Sequence, residues 1–168
     1  MLKWFKKLHR HFISSKLKQK LEHKTSEKTP NPLSSNLQEN LTKIKEVFSN
    51  ASDIVFRQFE IGSHTRIKAF IVYVDGLVNE EFVQMNLMKP LMIDMHISEV
   101  DDELNQKNTL NIIHQRILTL TEVSEVNDFQ EVVEHVLSGD TALFLEGFAT
   151  ALIVNLRGWE TRNVTPPD

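Results

Sequence analysis

The sequence predicts an α+β domain: a mixed, largely antiparallel sheet with helices packed on one face, preceded by a basic and flexible arm. Two apolar segments flank the short turn Gly62-Ser63-His64, which indicates an antiparallel hairpin. Segments with helical periodicity alternate with these strand-like segments, and the links between them are short. Helices and hairpins connected in this way are typical of the α+β class.

Composition limits the possible classes. A chain of 168 residues with 40% hydrophobic and 25% charged residues is ordinary for one globular domain. The absence of cysteine excludes disulfides and cysteine zinc sites and favours a reducing compartment. No segment reaches the roughly 18 to 20 apolar residues of a membrane span, and no apolar run follows the N-terminal lysines as in a secretory signal. We therefore expect the chain to be soluble by itself.

The N-terminal arm has a charge opposite to that of the rest of the chain. Residues 1–28 carry a net charge of +7, and the remaining 140 residues carry −11. On a helical wheel, apolar residues that include Trp4 and Phe5 occupy one half of residues 2–13. The opposite side holds the basic residues Lys3, Lys6, Lys7 and Arg10.

Three interpretations of this arm remain open. A basic amphipathic helix is suited to the surface of an anionic membrane. The same residues are compatible with a solvated, disordered leader, or with an RNA contact. An acidic globule with a basic tail is not the pattern of a nucleic-acid-binding domain, so we expect no nucleic-acid partner.

The predicted domain organisation has three parts: an arm and polar linker over residues 1–35, a globular domain over residues 36–164, and an exit linker over residues 165–168. Pro30 and Pro32 lie in the polar linker. Ser34, Ser35 and Asn36 are N-cap candidates for the first helix. The apolar face of that helix comprises Leu37, Leu41, Ile44, Val47 and Phe48.

Two strands and a helix follow. Alternation predicts strands at Ile54 to Ile61 and at Arg66 to Val74. Asn79 is a reasonable cap for a helix that Pro90 ends. This helix contains the apolar residues Phe82, Val83, Met85, Leu87 and Met88.

The second half of the chain is predicted less uniformly. Residues 110–118 fit either a short helix or the lead-in to a strand at residues 117–123. Residues 129–137 fit a helix that Ser138-Gly139 ends. Strands are expected at Ala142 to Leu145 and at Ala149 to Leu156.

Two Asp-Gly combinations raise the question of chemistry. Asp75-Gly76 and Gly139-Asp140 could place paired carboxylates at strand ends. Turns require the same residues, because Asp bonds to nearby backbone and Gly accepts a positive φ, so we interpret both pairs as turns. Glu146-Gly147 is interpreted as a hairpin turn for the same reason.

Recognisable catalytic, metal and cofactor patterns are missing from the sequence. It has seven histidines but no H-E-x-x-H motif. It has neither a G-x-S-x-G motif nor a phosphate-binding glycine loop. We therefore expect no catalytic residues, no metal, no cofactor and no enzymatic activity.

Three ordered motifs carry a resemblance to a known family. They are Tyr73-Val74-Asp75-Gly76-Leu77-Val78, Gly139-Asp140-Thr141-Ala142-Leu143-Phe144-Leu145-Glu146-Gly147, and Gly158-Trp159-Glu160-Thr161-Arg162-Asn163-Val164. Between about Leu37 and Pro167 the chain resembles the N-terminal soluble part of the A subunit of bacterial spore germinant receptors. The Thr165-Pro166 pair departs from the family, which usually has an acidic pair before proline.

The resemblance implies a function. The chain would be a non-catalytic domain of a membrane-bound receptor of the spore inner membrane, facing the cytoplasm and contributing to germinant sensing or subunit assembly. Implied partners are other receptor subunits and a small nutrient ligand. The alternative is a free-standing cytoplasmic α+β domain that binds a small ligand or peptide.

Trp159 and Arg162 allow two interpretations within the last motif. Trp159 could seal the end of the sheet, with Arg162 paired to Glu160 or stacked on the indole. The two residues could instead form an exposed contact with another subunit, since Trp and Arg are enriched at such contacts. The sequence favours the structural role.

Overall fold

A five-stranded sheet forms the centre of the domain. The structure is a computed structural model, and it describes residues 30–62, 64–94, 108–117 and 122–157. The strands of this part of the chain are β1 (Ile54–Ile61), β2 (Ile67–Val74), β3 (Val123–Val126), β4 (Thr141–Leu145) and β5 (Ala151–Val154). Their order across the sheet is β1-β2-β4-β5-β3, and every neighbouring pair is antiparallel. The predicted α+β class is confirmed.

Both predicted hairpins are present. β1 pairs with β2 in a register that joins Ile54 to Val74 and Ile61 to Ile67. β4 pairs with β5, and Thr141 lies opposite Val154. The second strand of this hairpin is shorter than predicted, because its regular pairing is limited to four residues.

The described chain also contains six helical segments. They are α1 (Leu37–Val47), α2 (Glu80–Phe82), π1 (Val83–Met88), π2 (Pro90–Asp94), α3 (Thr109–Ile117) and α4 (Phe129–Leu137). The Asn36 side chain accepts hydrogen bonds from two backbone N–H groups of α1, and Asp128 does the same for α4. These caps satisfy donors that have no partner within the helix, which explains why both helices begin where the sequence predicts.

Pro90 does not end the helical region as predicted. It is the first residue of π2, where the missing N–H of proline costs little, and the helical path continues to Asp94. The inward side of the region carries Val83, Leu87, Met88 and Leu91. Phe82 and Met85, which belong to the same predicted helix, are 48% and 53% exposed.

The segment before β3 resolves the ambiguity left by the sequence. Residues 109–117 form a helix, so the helical alternative is confirmed. The alternative of a lead-in to a strand at residues 117–123 does not hold at Ile117, which lies in the helix, and pairing with β5 runs from Val123 to Val126. The antiparallel partner therefore sets this strand's position.

Helices cover both faces of the sheet, whereas the sequence predicted them on one face. One apolar cluster joins α1 and α4 to the sheet, and a second joins π1, π2 and α3 to the opposite face. Every residue of β4 and β5 is buried. Central strands covered on both sides are continuous apolar runs, and such runs do not reveal how many layers cover them.

The residues before α1 also contact the domain. The N–H of Asn31 donates to Asp128 Oδ2 at 3.0 Å, and the N–H of Leu33 donates to the Asn127 carbonyl at 2.9 Å. The Leu33 side chain is buried in the cluster beneath α1 and α4. The packed part of the chain therefore includes residues 31–35, which the sequence assigned to the linker.

Candidate functional site

The most distinctive polar group is Asp140, which lies between α4 and β4 and is 4% exposed. Its carboxylate accepts two hydrogen bonds from Arg157, Nε to Oδ1 at 2.9 Å and Nη2 to Oδ2 at 3.0 Å. Nδ1 of His135 lies 2.9 Å from the same Oδ2. A buried carboxylate is stable only when it is paired, and a bidentate guanidinium is the strongest pairing that side chains offer.

Local sequence explains how Asp140 reaches this position. The end of α4 is closed by a turn in which the N–H of Asp140 donates to the His135 carbonyl at 3.1 Å. This turn needs Gly139, whose φ is +95°. A Cβ at Gly139 would also lie 3.2 Å from Leu77 Cβ, so the backbone there is in close contact with the segment after β2.

That segment is the Asp75-Gly76 turn, which meets the Asp140 turn at one end of the sheet. The N–H of Asp75 donates to the Asp53 carbonyl at 2.7 Å, and Gly76 has a φ of +74°. The side chain of Asp75 is exposed, and its backbone forms the turn that the sequence predicted.

The chain that leaves β5 passes through the same place. Val78 and Arg157 form an antiparallel bridge, and the N–H of Asn79 donates to the Leu156 carbonyl at 3.0 Å. Asp140 thus fixes Arg157 through its side chain, while Val78 and Asn79 hold the backbone on either side of it. We call Asp140, Arg157 and His135, with these backbone bonds, the exit cluster.

The bond to Asp140 raises the pKa of Arg157 above its already high ordinary value. Arg157 is therefore always charged, and its side chain is 32% exposed, so one edge of the guanidinium remains in contact with water. The arrangement is an ion pair that holds two parts of the chain together, and it contains no nucleophile.

A second polar group lies beside α2. Tyr73 is buried, its hydroxyl donates to Glu80 Oε1 at 3.5 Å, and Arg57 lies 5.9 Å above its ring. Burial raises the pKa of Tyr73, and this outweighs the opposing effect of the Arg57 charge. Tyr73 therefore remains a neutral hydrogen-bond donor.

The turn between β4 and β5 is also tied to a helix. Oε2 of Glu146 accepts the N–H of Leu37 at 3.1 Å, and the N–H of Gly147 donates to the Ser35 carbonyl at 2.8 Å. A carboxylate at a helix N-terminus is favourable because it satisfies a free N–H and opposes the positive end of the helix dipole. Glu146 thus has a role beyond the predicted turn.

The structure locates two of the residues that the sequence singled out. Asp75 and Asp140 lie in adjoining turns at the same end of the sheet. Trp159 and Arg162 lie outside the described residues. So do the residues of the basic arm that the sequence singled out, which are Trp4, Phe5, Lys3, Lys6, Lys7 and Arg10.

Sequence reasoning missed Arg157 and His135 as partners of Asp140. The His135 ring lies at the end of α4 and turns towards Asp140. Across the described ranges, no three His, Asp or Glu side chains lie close enough together to hold a metal ion. In those ranges, too, no helix is long and apolar enough to cross a membrane.

Fold and site together define an α+β domain in which a partly buried ion pair holds Arg157 against the turn before β4. Comparison with known proteins identifies the family. The family model described as Bacillus/Clostridium GerA spore germination protein matches residues 42–168, so the chain belongs to the GerA family. Membership supports a role in spore germination.

Individual relatives agree with this assignment. The chain is 32% identical over 136 residues to the uncharacterized membrane protein YfkQ of Bacillus subtilis (strain 168), a match that covers 81% of this chain and 25% of the relative. It is 29% identical over 136 residues to the spore germination protein GerLA of Bacillus cereus, with coverage of 80% and 26%. The chain therefore spans about a quarter of the length of these relatives.

A solved structure shows the same fold. The crystal structure of the N-terminal domain of the A subunit of the Bacillus megaterium spore germinant receptor GerK3 superposes with a TM-score of 0.68 at 33% sequence identity. The match covers 79% of this chain and 50% of that domain.

Proposed function

We propose that this chain is a non-catalytic domain of a membrane-bound spore germinant receptor and that it contributes to nutrient sensing through subunit assembly. Family membership supports the receptor class. The observation that carries the finer proposal is the Asp140–Arg157 pair, because it sets the direction in which the backbone leaves the sheet. A surface that binds another subunit is more precise when it is held on a rigid part of the fold.

A contact with another subunit is the second candidate role of the segment that follows Arg157, beside the structural role that the sequence favours for Trp159. Trp159 and Arg162 lie two and five residues after Arg157 in the sequence. A charged pair that holds Arg157 also restrains where this segment begins. Trp and Arg are the side chains most often found at the centre of protein interfaces, so the segment suits a contact with another receptor subunit.

The proposed location is the spore inner membrane, with this domain on the cytoplasmic side. The absence of cysteine is consistent with a reducing compartment. The basic arm would add a weak attachment to anionic lipid through Lys3, Lys6, Lys7 and Arg10, with Trp4 and Phe5 at the headgroup boundary.

A sporulating strain that carries the tagged chain at its own locus tests the proposal. We compare the unaltered protein with Arg157→Met, using Glu60→Gln as the control, since Glu60 lies in an exposed ion pair with Arg66. Nutrient-triggered germination is measured as loss of spore refractility, with the level of tagged protein followed on immunoblots.

The proposal expects Arg157→Met to slow nutrient germination by more than any fall in its protein level accounts for, with no effect of Glu60→Gln. A normal response in Arg157→Met spores would contradict it. The alternative of a free-standing cytoplasmic domain predicts a different outcome, in which the protein elutes alone in size exclusion and binds a small ligand or peptide in a screen.

A further inference from the structure

One long stretch of the chain carries acidic charge without any basic charge. Residues 122–156 contain seven Asp and Glu residues and no Lys or Arg. Three of the seven carboxylates, those of Asp128, Asp140 and Glu146, accept hydrogen bonds within the domain. The other four belong to exposed residues, which are Glu122, Glu125, Glu131 and Glu134.

Two of these exposed residues, Glu131 and Glu134, share the outward side of α4. The buried residues of this helix, on its opposite side, are Phe129, Val132, Val133 and Val136. Glu131 and Glu134 are three positions apart, so their like charges are neighbours on the helix surface and repel each other. In the described ranges neither belongs to an ion pair, and the Nζ of nearby Lys43 donates to Asn31 instead. We call Glu131 and Glu134 the acidic face of α4.

The path of the N-terminal chain leads to this helix. Pro32 and Asp128 form an antiparallel bridge, and the N–H of Phe129 donates to the Asn31 carbonyl at 2.8 Å. In an antiparallel pairing, the chain that precedes Asn31 runs in the direction of the residues that follow Phe129. The N-terminal arm therefore joins the domain beside the first turn of α4, to which Glu131 belongs.

The arm carries the complementary charge and is long enough to reach the acidic face. Its basic residues are densest between residues 3 and 10, where four Lys and Arg residues occur and no Asp or Glu. Twenty residues separate Arg10 from Asn31. A flexible chain of that length spans on average about 22 to 27 Å. The nine residues of α4 extend over about 14 Å, so the basic residues can reach any part of its outward side.

We infer that the basic arm binds the acidic face of α4 in its own chain, through Lys3, Lys6, Lys7 and Arg10. Attachment beside the helix raises the local concentration of the arm to the order of millimolar, which favours a contact made of individually weak ion pairs. Residues 14–29 only connect the bound part of the arm to the domain. The contact occupies the same basic side chains that an anionic surface would attract, so the two compete for the arm. This inference does not depend on the role in germination.

Paramagnetic relaxation enhancement on the 168-residue chain tests the inference. The chain contains no cysteine, so Phe5→Cys supplies a single attachment point for a nitroxide spin label and leaves the basic residues of the arm unchanged. Broadening of the backbone amide signals is measured at low salt and at about 1 M salt, where the screening length falls to about 3 Å. We expect broadening that is concentrated on α4 at low salt and is lost at high salt. Broadening spread evenly over the domain would overturn the inference.

Two double variants of the spin-labelled chain separate the acidic face from the net charge. Glu131→Gln/Glu134→Gln should remove most of the broadening on α4. The control Glu81→Gln/Glu125→Gln removes the same charge from exposed residues on the other side of the sheet and should leave the broadening unchanged. Equal broadening in the two double variants would refute the inference. So would broadening of α4 in isotope-labelled chain that has no spin label and is mixed with spin-labelled chain, because that result would assign the contact to a second copy.

Discussion

Replacing each partner of the Asp140–Arg157 pair by a neutral side chain should lower the free energy of unfolding by unequal amounts, because the two side chains differ in exposure. The Asp140 side chain is 6% exposed and that of Arg157 is 32% exposed. Arg157→Met leaves a buried carboxylate with only His135 beside it. Asp140→Asn leaves a guanidinium that water can reach.

Removing one partner of a buried ion pair typically costs about 3 to 5 kcal/mol, and we expect Arg157→Met to lie in that range. Asp140→Asn retains the shape of the side chain and leaves a partly hydrated charge, so about 1 to 3 kcal/mol is expected. A domain of this size loses about 3 to 5 °C in melting temperature for each kcal/mol. The two variants should therefore melt about 9 to 25 °C and about 3 to 15 °C lower than the unaltered chain.

The assay is urea unfolding followed by circular dichroism, on both single variants and on Asp140→Asn/Arg157→Met. Because the two side chains form one unit, the double variant should cost at least about 1 kcal/mol less than the sum of the singles. Glu60→Gln is the control, since exposed ion pairs contribute about 0 to 1 kcal/mol. Equal costs for the two single variants, or additivity within about 0.5 kcal/mol, would refute the view that Asp140 is the buried partner.

Four further predictions follow from the described contacts and the sequence. Gly139→Ala should lower the melting temperature more than Gly76→Ala does. Both glycines have positive φ, but a Cβ at Gly139 would also lie 3.2 Å from Leu77 Cβ. Equal decreases in melting temperature would contradict the argument from this close contact. Tyr73 is the chain's single tyrosine, and its pKa in the folded state is raised above 10.0. Its contribution to the free energy of unfolding should therefore be complete below pH 10 and be lost as the pH rises through the folded-state pKa, with a smaller loss in Tyr73→Phe. Half-ionisation of Tyr73 at pH 10, measured by absorbance, would contradict this. Limited trypsin should cut at Lys20, Lys24 or Lys28 and leave a fragment that contains Leu33, whereas protection of these lysines would show a docked arm. Trp159→Ala should cost about 3 to 5 kcal/mol, because we expect the indole to seal the sheet; an unchanged melting temperature would contradict this and make Trp159 with Arg162 the leading candidate for a subunit contact.

Local signals account for what the sequence predicted well. Asn36 and Asp128 fix the starts of α1 and α4 through side-chain bonds to nearby N–H groups, and such bonds depend only on neighbouring residues. The β1–β2 hairpin also arises from a short turn between two apolar segments. These elements were predicted at, or within a residue of, their observed bounds.

Long-range partners explain what the sequence did not predict. Asp140 and Arg157 are separated by 17 residues, and only the antiparallel return of β5 beside β4 brings them together. The position of β3 likewise depends on its pairing with β5. The sequence predicted an ordinary helix limited by Pro90, and it did not predict the π-helical path from Val83 to Asp94.

Affinity purification from spore membranes tests the central claim most directly, that this domain belongs to an assembled germinant receptor and that its fixed exit supports the assembly. The tagged chain is recovered from spores at its own locus and probed with antibodies against the other receptor subunits, alongside Arg157→Met and the Glu60→Gln control. The account predicts that the unaltered chain and Glu60→Gln bring down the other subunits, while Arg157→Met recovers them at a reduced level. Recovery of the unaltered chain without any receptor subunit would contradict it.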